Sequence, residues 1–292
     1  MDLTLKEWCL LACDGDMAQA AIRRQAMEYA MDEDQVRTLM GERLTVMQEA
    51  VTEGLQPSLR SVSGMTEGQA CRLMERVRQG RALCGTLQGK AEAYALATAE
   101  CNAAMGRIVA APTAGACGIL PGVVLAMMEE RDTPWDRAVD ALFVAAAIGQ
   151  SIATHASISG AEGGCQAETG TGAAMAAAAL CYLEGGSPIQ CCHSAAFAIM
   201  NLLGLVCDPV GGLVEVPCVY RNVGAVSIAF SSADMVLSGI PCPLDPDEVI
   251  QAMKEVGDAM PASLRETGEG GCAACRSGCS HCRMDAGPAH AE

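Results

Sequence analysis

The stretch from Ser159 to Asn222 decides the fold: it begins Ser-Ile-Ser-Gly-Ala-Glu-Gly-Gly-Cys-Gln-Ala-Glu and ends Cys-Asp-Pro-Val-Gly-Gly-Leu-Val-Glu-Val-Pro-Cys-Val-Tyr-Arg-Asn. It holds Cys165, Cys207 and Cys218, each with a glycine or proline within two residues. Such neighbours predict turns for these cysteines. A thiol on a turn suits metal binding, because the backbone can wrap around an ion. The alternative is three buried free thiols, since cysteine is common in protein cores, and the residues alone leave both open.

The segments on either side of this stretch predict a mainly α fold, an Ala/Gly-rich helical domain whose loops carry cysteines. Half of the 292 residues are apolar and 3% are aromatic. The apolar residues are mostly Ala, Leu, Val and Met, which favours helices over sheets. Periodic apolar positions, capping residues and glycine or proline breaks predict helices over residues 17–29, 32–54, 66–79, 90–104, 136–157, 171–183, 189–203 and 246–260.

The formal net charge of −16 argues against nucleic acid as a partner, because phosphate binding needs clustered basic residues. The three lysines, Lys6, Lys90 and Lys254, also disfavour attachment to anionic membranes. The uncharged stretch 189–207 contains His193, Ser194 and Asn201, which is typical of a buried core helix rather than a membrane span.

The 17 cysteines could form disulfides in an oxidising compartment or stay as free thiols in a reducing one. Disulfides would be expected in a small secreted chain. The N-terminus Met-Asp-Leu-Thr-Leu-Lys-Glu lacks the apolar core of a signal peptide. We therefore expect a reducing cytoplasm, with most thiols free and a few bound to metal.

A second glycine-rich segment, Ala111-Pro-Thr-Ala-Gly-Ala-Cys-Gly118, precedes a predicted helix start near Ile119. Free backbone N–H groups at such a start can bind an anion. A tight turn between two helices explains the same residues equally well, so the pattern alone leaves its role open.

Three long blocks in this order resemble the iron–sulfur L-serine dehydratases (L-serine ammonia-lyases), specifically the alpha chain of the two-chain type. They are residues 105–122, residues 160–168 and residues 207–222, and with their spacing they cover most of Gly89 to Gly271. The resemblance implies a [4Fe–4S] cluster held by Cys165, Cys207 and Cys218. It also implies that Thr113, Ala114 and Gly115 bind the carboxylate of the substrate, L-serine, and that a separate beta chain completes the enzyme.

The implied reaction needs a base that removes the α-proton of serine. Candidates are His155, His193, Lys90 and Glu168, and we prefer His155 because histidine titrates nearest neutral pH and this one immediately precedes the Cys165 segment. Two alternatives stay open. A pyridoxal phosphate enzyme would need a Schiff-base lysine, for which Lys90 is the one contender. A non-catalytic iron–sulfur or zinc-binding sensor or assembly protein would not need the 111–118 segment.

The C-terminal end divides the predicted organisation into a helical domain over residues 1–271 and a cysteine-rich tail over residues 272–292. The tail holds Cys272, Cys275, Cys279 and Cys282 as two CxxC pairs, which departs from the family pattern. These thiols could bind their own zinc or cluster. They could instead cap the open iron of the main cluster until serine displaces them, because glycines at the start of the tail let it fold back. A flexible thiol-rich end is the third reading.

Overall fold

The computed structural model describes residues 3–12 and 15–279, and this part of the chain is helical with no β-strand. The β-type pairings described are two isolated bridges, Arg60–Glu67 and Cys207–Arg265. The prediction of a mainly α fold is therefore confirmed. The helices are α1 (Leu5–Leu11), α2 (Met17–Tyr29), α3 (Glu33–Gly54), α4 (Gln69–Arg78), α5 (Gly85–Ala103), α6 (Ile119–Glu130), α7 (Trp135–His155), α8 (Gly160–Gly163), α9 (Thr171–Leu183), α10 (Pro188–Leu202), α11 (Cys218–Leu237), α12 (Pro246–Ala259) and α13 (Arg276–Cys279).

Short non-α turns connect several of these helices. A π-helical turn over Gln166–Gly170 runs directly into α9, and 3₁₀ turns occur at Val210–Gly212, Ala262–Leu264 and Gly271–Ala274. The predicted boundary between a domain and a tail at residues 271 and 272 stays a prediction. Cys282 lies outside the described residues.

Several helix ends follow local sequence signals. The Asp32 side chain caps α3 by accepting the N–H of Gln35, and the Gln35 side chain in turn accepts the N–H of Asp32. Asp245 caps α12, with Pro246 in its first turn. Such caps satisfy backbone N–H groups that have no partner inside the helix. The predicted bounds of α2 and α9 are confirmed.

Two predicted boundaries are wrong for tertiary reasons. The helix expected from residue 66 begins at Gln69, because the buried carboxylate of Glu100 accepts the N–H groups of Gln69 and Ala70 at 3.0 and 2.8 Å. The helix predicted to begin at residue 90 already begins at Gly85, and no local cap explains this start because Cys84 makes no side-chain capping bond.

The centre of the core is α9, whose residues from Thr171 to Tyr182 are all buried. Small side chains cover this helix on every side, so neighbours can pack around its whole circumference. Helices α6, α7, α10 and α11 contact it, and they place the π-helical turn at its N-terminal end inside the molecule.

Helix α5 is approached closely by glycines from two other helices. A Cβ atom at Gly54 of α3 or at Gly118 before α6 would collide with the backbone of α5 at Ala97 and Ala95 respectively. A Cβ at Gly122 of α6 would lie 2.5 Å from the Ala91 carbonyl oxygen. These glycines allow the backbones to pack at a distance that no side chain would permit, and Gly118 thereby fixes the loop that leads into α6.

Helix α7 is long and apolar enough to cross a membrane by length and composition, but 67% of its apolar window is buried inside the protein. Its buried residues, such as Leu142 and Ile148, belong to the hydrophobic core.

Replacing Gly122 with Ala tests this close packing. We expect Gly122→Ala to lower the free energy of unfolding by about 2 kcal/mol, because the added methyl group overpacks α5 against α6. Gly224→Ala is the matched control, since Gly224 is an exposed glycine in α11 with no atom within 4 Å of the added Cβ. The control should be neutral or stabilising by up to about 1 kcal/mol. Equal effects in chemical denaturation would contradict the packing argument.

Candidate active site

Two of the three predicted cluster cysteines begin helical segments. Cys165 follows Gly164, whose φ of +75° ends α8, and it leads into the π-helical turn. Cys218 follows Pro217 and is the first residue of α11. The expectation that these cysteines lie on turns is therefore wrong for Cys165 and Cys218, because the breaking residue ends the preceding segment and a new helix starts at the thiol.

Cys207 is held by backbone pairing with the segment that follows α12. Its N–H donates to the Leu264 carbonyl at 2.9 Å, and its own carbonyl accepts the N–H of Glu266 at 2.7 Å. This two-bond bridge fixes the position of Cys207 between the Cys165 segment and residues near the start of the tail.

The three thiols are all buried, with exposed fractions of 3% for Cys165, 4% for Cys207 and 8% for Cys218. Burial raises the pKa of each thiol, and for Cys218 to about 12. Repulsion from a thiolate at Cys165 further raises the pKa of both Cys207 and Cys218. Three thiolates can occupy this site together when a cationic group compensates them.

This donor set fits an iron–sulfur cluster better than a single metal ion. Among residues 3–12 and 15–279, no group of three or more His, Cys, Asp or Glu side chains converges in a geometry that would hold one ion. In a cluster each thiolate binds a different iron, so the three sulfurs need not converge on one point. Their burial and mutual repulsion, together with the absence of any disulfide among the described cysteines, fit that arrangement.

Arg221 supplies a positive charge beside the cysteines. Its guanidinium donates to the Val206 carbonyl at 2.7 Å and forms a salt bridge with Asp208 at 2.8 Å. Burial raises the pKa of Cys165, and the nearby Arg221 and the Thr169 hydroxyl act in the opposite direction. Arg221 therefore favours the thiolate of Cys165.

Asp208 also anchors the start of the predicted tail. Its second carboxylate oxygen accepts the N–H of Cys272 at 2.6 Å. The preceding residue, Gly271, has φ of +59°, and a Cβ atom there would collide with the Asp208 side chain. The tail thus starts beside Cys207, with the side chains of Cys272 and Cys275 exposed. Both predicted roles of the tail thiols stay predictions, since the side chain of Cys279 and all of Cys282 lie outside what the structure describes.

Asn222 joins the 111–118 segment to the cysteine-bearing start of α11. Its Nδ2 donates to the carbonyls of Gly115 at 2.7 Å and Cys218 at 2.9 Å, and its Oδ1 accepts the N–H of Gly118 at 2.9 Å. The predicted helix start at Ile119 is confirmed. Because the N–H of Gly118 is bonded to Asn222, and that of Ile119 to the Ala116 carbonyl at 3.4 Å, these two groups are not free to bind an anion.

Glu168 lies where the three sequence blocks meet. A Cβ atom at Gly160 would lie 2.8 Å from Cys207 Sγ and 2.9 Å from Glu168 Oε2, and one at Gly115 would lie 3.5 Å from the same carboxylate oxygen. The two glycines therefore leave room for a carboxylate beside Cys207. Burial raises the pKa of Glu168, while the Thr113 hydroxyl lowers it. No salt bridge between described residues includes Glu168.

Thr113, Ala114 and Gly115, predicted to bind the substrate carboxylate, flank this glutamate. Thr113 Oγ1 is buried beside the Glu168 carboxylate, but it makes no hydrogen bond of good geometry with a described residue. A buried hydroxyl without a partner is uncommon in proteins. The assignment of a substrate-binding role to these three residues stays a prediction.

The hydrogen bonds and ion pairs described for the other three candidate bases go to residues other than the three cysteines. Lys90 forms salt bridges with Glu129 and Glu130 on α6. The Nδ1 atom of His193 accepts the N–H of Cys242 at 3.4 Å, in a different part of the protein. The Nδ1 atom of His155 lies 2.9 Å from the Ser151 carbonyl at the end of α7. No hydrogen bond among the described residues connects His155 to the three cysteines. Its role as the base stays a prediction.

Sequence reasoning missed a buried acid beside the third cysteine. Glu215 lies three residues before Cys218, has an exposed fraction of 3%, and accepts hydrogen bonds from Ser63 at 2.5 Å and Thr66 at 2.8 Å. The loop over residues 56–65, which the sequence presents as an ordinary connection, is thereby fastened to the cysteine block. A single acid inside the apolar run Leu-Val-Glu-Val-Pro was the signal that could have revealed it.

Comparisons with known proteins identify the family of this chain. The sequence profile of the serine dehydratase alpha chain family matches residues 14–273, and the chain belongs to that family. It is 48% identical over 239 residues to the probable L-serine dehydratase, alpha chain, of Bacillus subtilis, covering 82% of this chain and 79% of the relative. It is 43% identical over 246 residues to the L-serine dehydratase, alpha chain, of Peptoniphilus asaccharolyticus, covering 84% of each.

A longer relative matches through part of its length. The chain is 47% identical over 182 residues to the L-serine dehydratase TdcG of Escherichia coli, and the match covers 62% of this chain and 40% of that protein. The longer protein therefore contains a large region beyond the part that resembles this chain.

The link through Asn222 can be tested with an isosteric change. We expect Asn222→Asp to lower the free energy of unfolding by about 3 kcal/mol, because the carboxylate cannot donate to the buried carbonyls of Gly115 and Cys218. Faster hydrogen exchange over residues 111–118 should accompany the loss. Asn201→Asp is the control: Asn201 is exposed and donates to one carbonyl, that of Phe197, so its effect should stay within about 0.5 kcal/mol. If both variants were equally stable, Asn222 would not hold the loop.

Proposed function

We propose that this chain is the alpha chain of an L-serine ammonia-lyase that converts L-serine to pyruvate and ammonia with a [4Fe–4S] cluster. The observation that carries the proposal is the meeting of three buried thiols and the half-buried Glu168 carboxylate, contributed by segments far apart in sequence. The family assignment and the names of the relatives support serine as the substrate.

Cys165, Cys207 and Cys218 would hold the cluster. When bound, it supplies a Lewis acid at the iron that has no protein ligand, which polarises the β-hydroxyl of serine. The protein itself buries the thiolates and balances part of their charge with Arg221. Asp208 and Asn222 hold the segments that carry Cys207 and Cys218 in place.

The chemistry requires loss of water from serine. Removal of the α-proton and departure of the β-hydroxyl give an enamine, which tautomerises to an imine and hydrolyses to pyruvate and ammonia. We propose His155 as the base that takes the α-proton, following the sequence prediction. Its imidazole sits at the end of α7, one residue before the chain turns toward the Cys165 segment.

We assign Glu168 to the ammonium group of the substrate. Glu168 is half-buried and has no salt-bridge partner among the described residues. Partial loss of water makes its charged form less favourable, and the α-ammonium of serine would compensate it. Thr113, whose buried hydroxyl makes no hydrogen bond of good geometry with a described residue, and the neighbouring Ala114 and Gly115 would face the substrate carboxylate. An amino acid would thus be recognised by both of its charged groups.

A separately encoded beta chain is the proposed partner. The similar chains of Bacillus subtilis and Peptoniphilus asaccharolyticus are named as alpha chains, and the longer relative of Escherichia coli contains a large additional region. We also propose a cytoplasmic location, and neither nucleic acid nor membrane as a partner, in line with the acidic composition.

The direct assay is pyruvate release from L-serine after anaerobic reconstitution with iron and sulfide, with and without the beta chain. We expect weak activity from the isolated chain and higher activity from the two chains together. Binding of iron and sulfide without pyruvate release in either sample would instead support the alternative of a non-catalytic sensor or assembly protein. Full turnover by the isolated chain would count against the need for a partner.

Alanine replacement of the predicted cluster ligands should abolish both iron binding and activity. Cys165→Ala, Cys207→Ala and Cys218→Ala each leave two thiolates, which hold a four-iron cluster poorly. The matched controls are Cys181→Ala and Cys191→Ala, because both residues are buried thiols of the core and should retain iron and activity. Iron analysis and the pyruvate assay on all five variants check this, and a uniform result across the five would refute the ligand assignment.

If Glu168 binds the ammonium group, its replacement should change the KM for L-serine without changing the iron content. We expect Glu168→Gln to raise the KM for L-serine by about tenfold or more, because a neutral amide pairs poorly with the ammonium group, while bound iron stays unchanged. Glu162→Gln is the control, since Glu162 is exposed and accepts a hydrogen bond from Ser157 at 2.6 Å. A fall in kcat with KM unchanged would point to Glu168 as the base in place of His155.

A further inference from the structure

Two thiols outside the candidate active site lie in contact. Cys9 on α1 and Cys192 on α10 have their sulfur atoms 3.5 Å apart, although 183 positions separate them in the chain. A disulfide bond is about 2.05 Å long, so a small side-chain rotation would bring the sulfurs to bonding distance. Neither residue contributes to the proposed serine chemistry.

A cavity gives small molecules access to these sulfurs. It has a volume of about 360 Å³ and opens to the surface beside Cys9, Cys192, His193, Cys242 and Asp245. Cys9 is half-buried, whereas Cys192 is buried beneath it. The other close thiols of the core, Cys181 and Cys191, are both fully buried, and neither of them lines this cavity.

We propose that Cys9 and Cys192 are a modification site, at which a hydroperoxide oxidises the two thiols to a reversible disulfide. The contact of the two sulfurs and the cavity that reaches them carry the proposal. The oxidant must be small, such as hydrogen peroxide, because it has to enter a cavity that Lys6 and Asp245 border together with apolar side chains.

The reaction proceeds in two balanced steps. The Cys9 thiolate attacks one oxygen of hydrogen peroxide, an S–O bond forms, the O–O bond breaks, and the departing hydroxide takes a proton to become water. The Cys192 sulfur then attacks Cys9, an S–S bond forms, the S–O bond breaks, and the second hydroxide leaves with the proton of Cys192 as water. Overall, two thiols lose two electrons and two protons, and the peroxide is reduced to two molecules of water.

The pKa shifts of the two thiols agree with Cys9 reacting first and Cys192 second. A hydrogen bond from Cys192 lowers the pKa of Cys9, against opposing effects of burial and of Asp247. The same hydrogen bond, together with burial, raises the pKa of Cys192. The more accessible thiol is therefore the one that ionises and reacts first, and the deeper one resolves the intermediate.

The bond would fasten the first helix to the rest of the fold. Helix α1 is otherwise held by the Asp247 carboxylate, which accepts the N–H groups of Leu5 and Lys6 at 2.8 and 3.1 Å. Asp247 belongs to α12, which also accepts a hydrogen bond at the Met253 carbonyl from Gln166, the residue after Cys165. A covalent link at α1 would thus stabilise the support of the Cys165 segment from outside the site.

Peptide mapping of the full-length chain tests the proposal. The reduced protein is treated with a stoichiometric amount of hydrogen peroxide, alkylated, digested and analysed by mass spectrometry. We expect a Cys9–Cys192 cross-link as the predominant one, reversed by dithiothreitol, with the melting temperature raised by about 5 °C because the link closes a very long loop.

Variants make the result specific. Cys9→Ser and Cys192→Ala should each lose the cross-link and the peroxide-dependent rise in melting temperature. Cys181→Ala, the control in the core, should keep both. A cross-link from Cys192 to Cys242 or to Cys191 would overturn the proposal, and so would oxidation of Cys9 to sulfinic acid without any cross-link. Because the readout is covalent linkage, its failure is independent of whether the chain dehydrates serine.

Discussion

Three thiols buried beside one another are the constraint on which the site depends. Each thiolate at Cys165, Cys207 and Cys218 would be desolvated, and the charge of Cys165 raises the pKa of the other two. Without a compensating cation the stable form of this trio is neutral. Arg221 compensates part of one charge, and the cationic core of the proposed cluster would compensate the rest.

The rest of the fold positions these thiols by close backbone packing. Helix α9 is buried around its whole circumference and carries the Cys165 segment into the interior. Gly118 packs its loop directly on α5, and Asn222 then connects that loop to the start of α11. The site is therefore assembled from rigid helix ends and two glycine-rich segments, and it leaves room beside Cys207 for the Glu168 carboxylate.

Local signals in the sequence predict some of this structure well. Met17–Tyr29 and Thr171–Leu183 were predicted at their observed bounds, because breaks and caps adjacent in the chain determine them. The start of α4 was not predicted correctly, since the carboxylate of Glu100, about thirty residues away, caps it.

For the site, the three cysteines and Glu168 could be named from the three sequence blocks. The contacts of Glu215 with Thr66 and of Asn222 with Gly118 could not, because they join residues 149 and 104 positions apart, which no local pattern encodes.

The central claim is that three cysteines of this chain hold a four-iron cluster with one iron open to serine. Mössbauer spectroscopy of protein reconstituted with ⁵⁷Fe, recorded before and after L-serine is added, tests it most directly. About a quarter of the iron signal should change with L-serine and should not change with L-alanine, which lacks the β-hydroxyl. A four-iron spectrum that is unaffected by saturating L-serine, or a protein that takes up no cluster at all, would contradict the account.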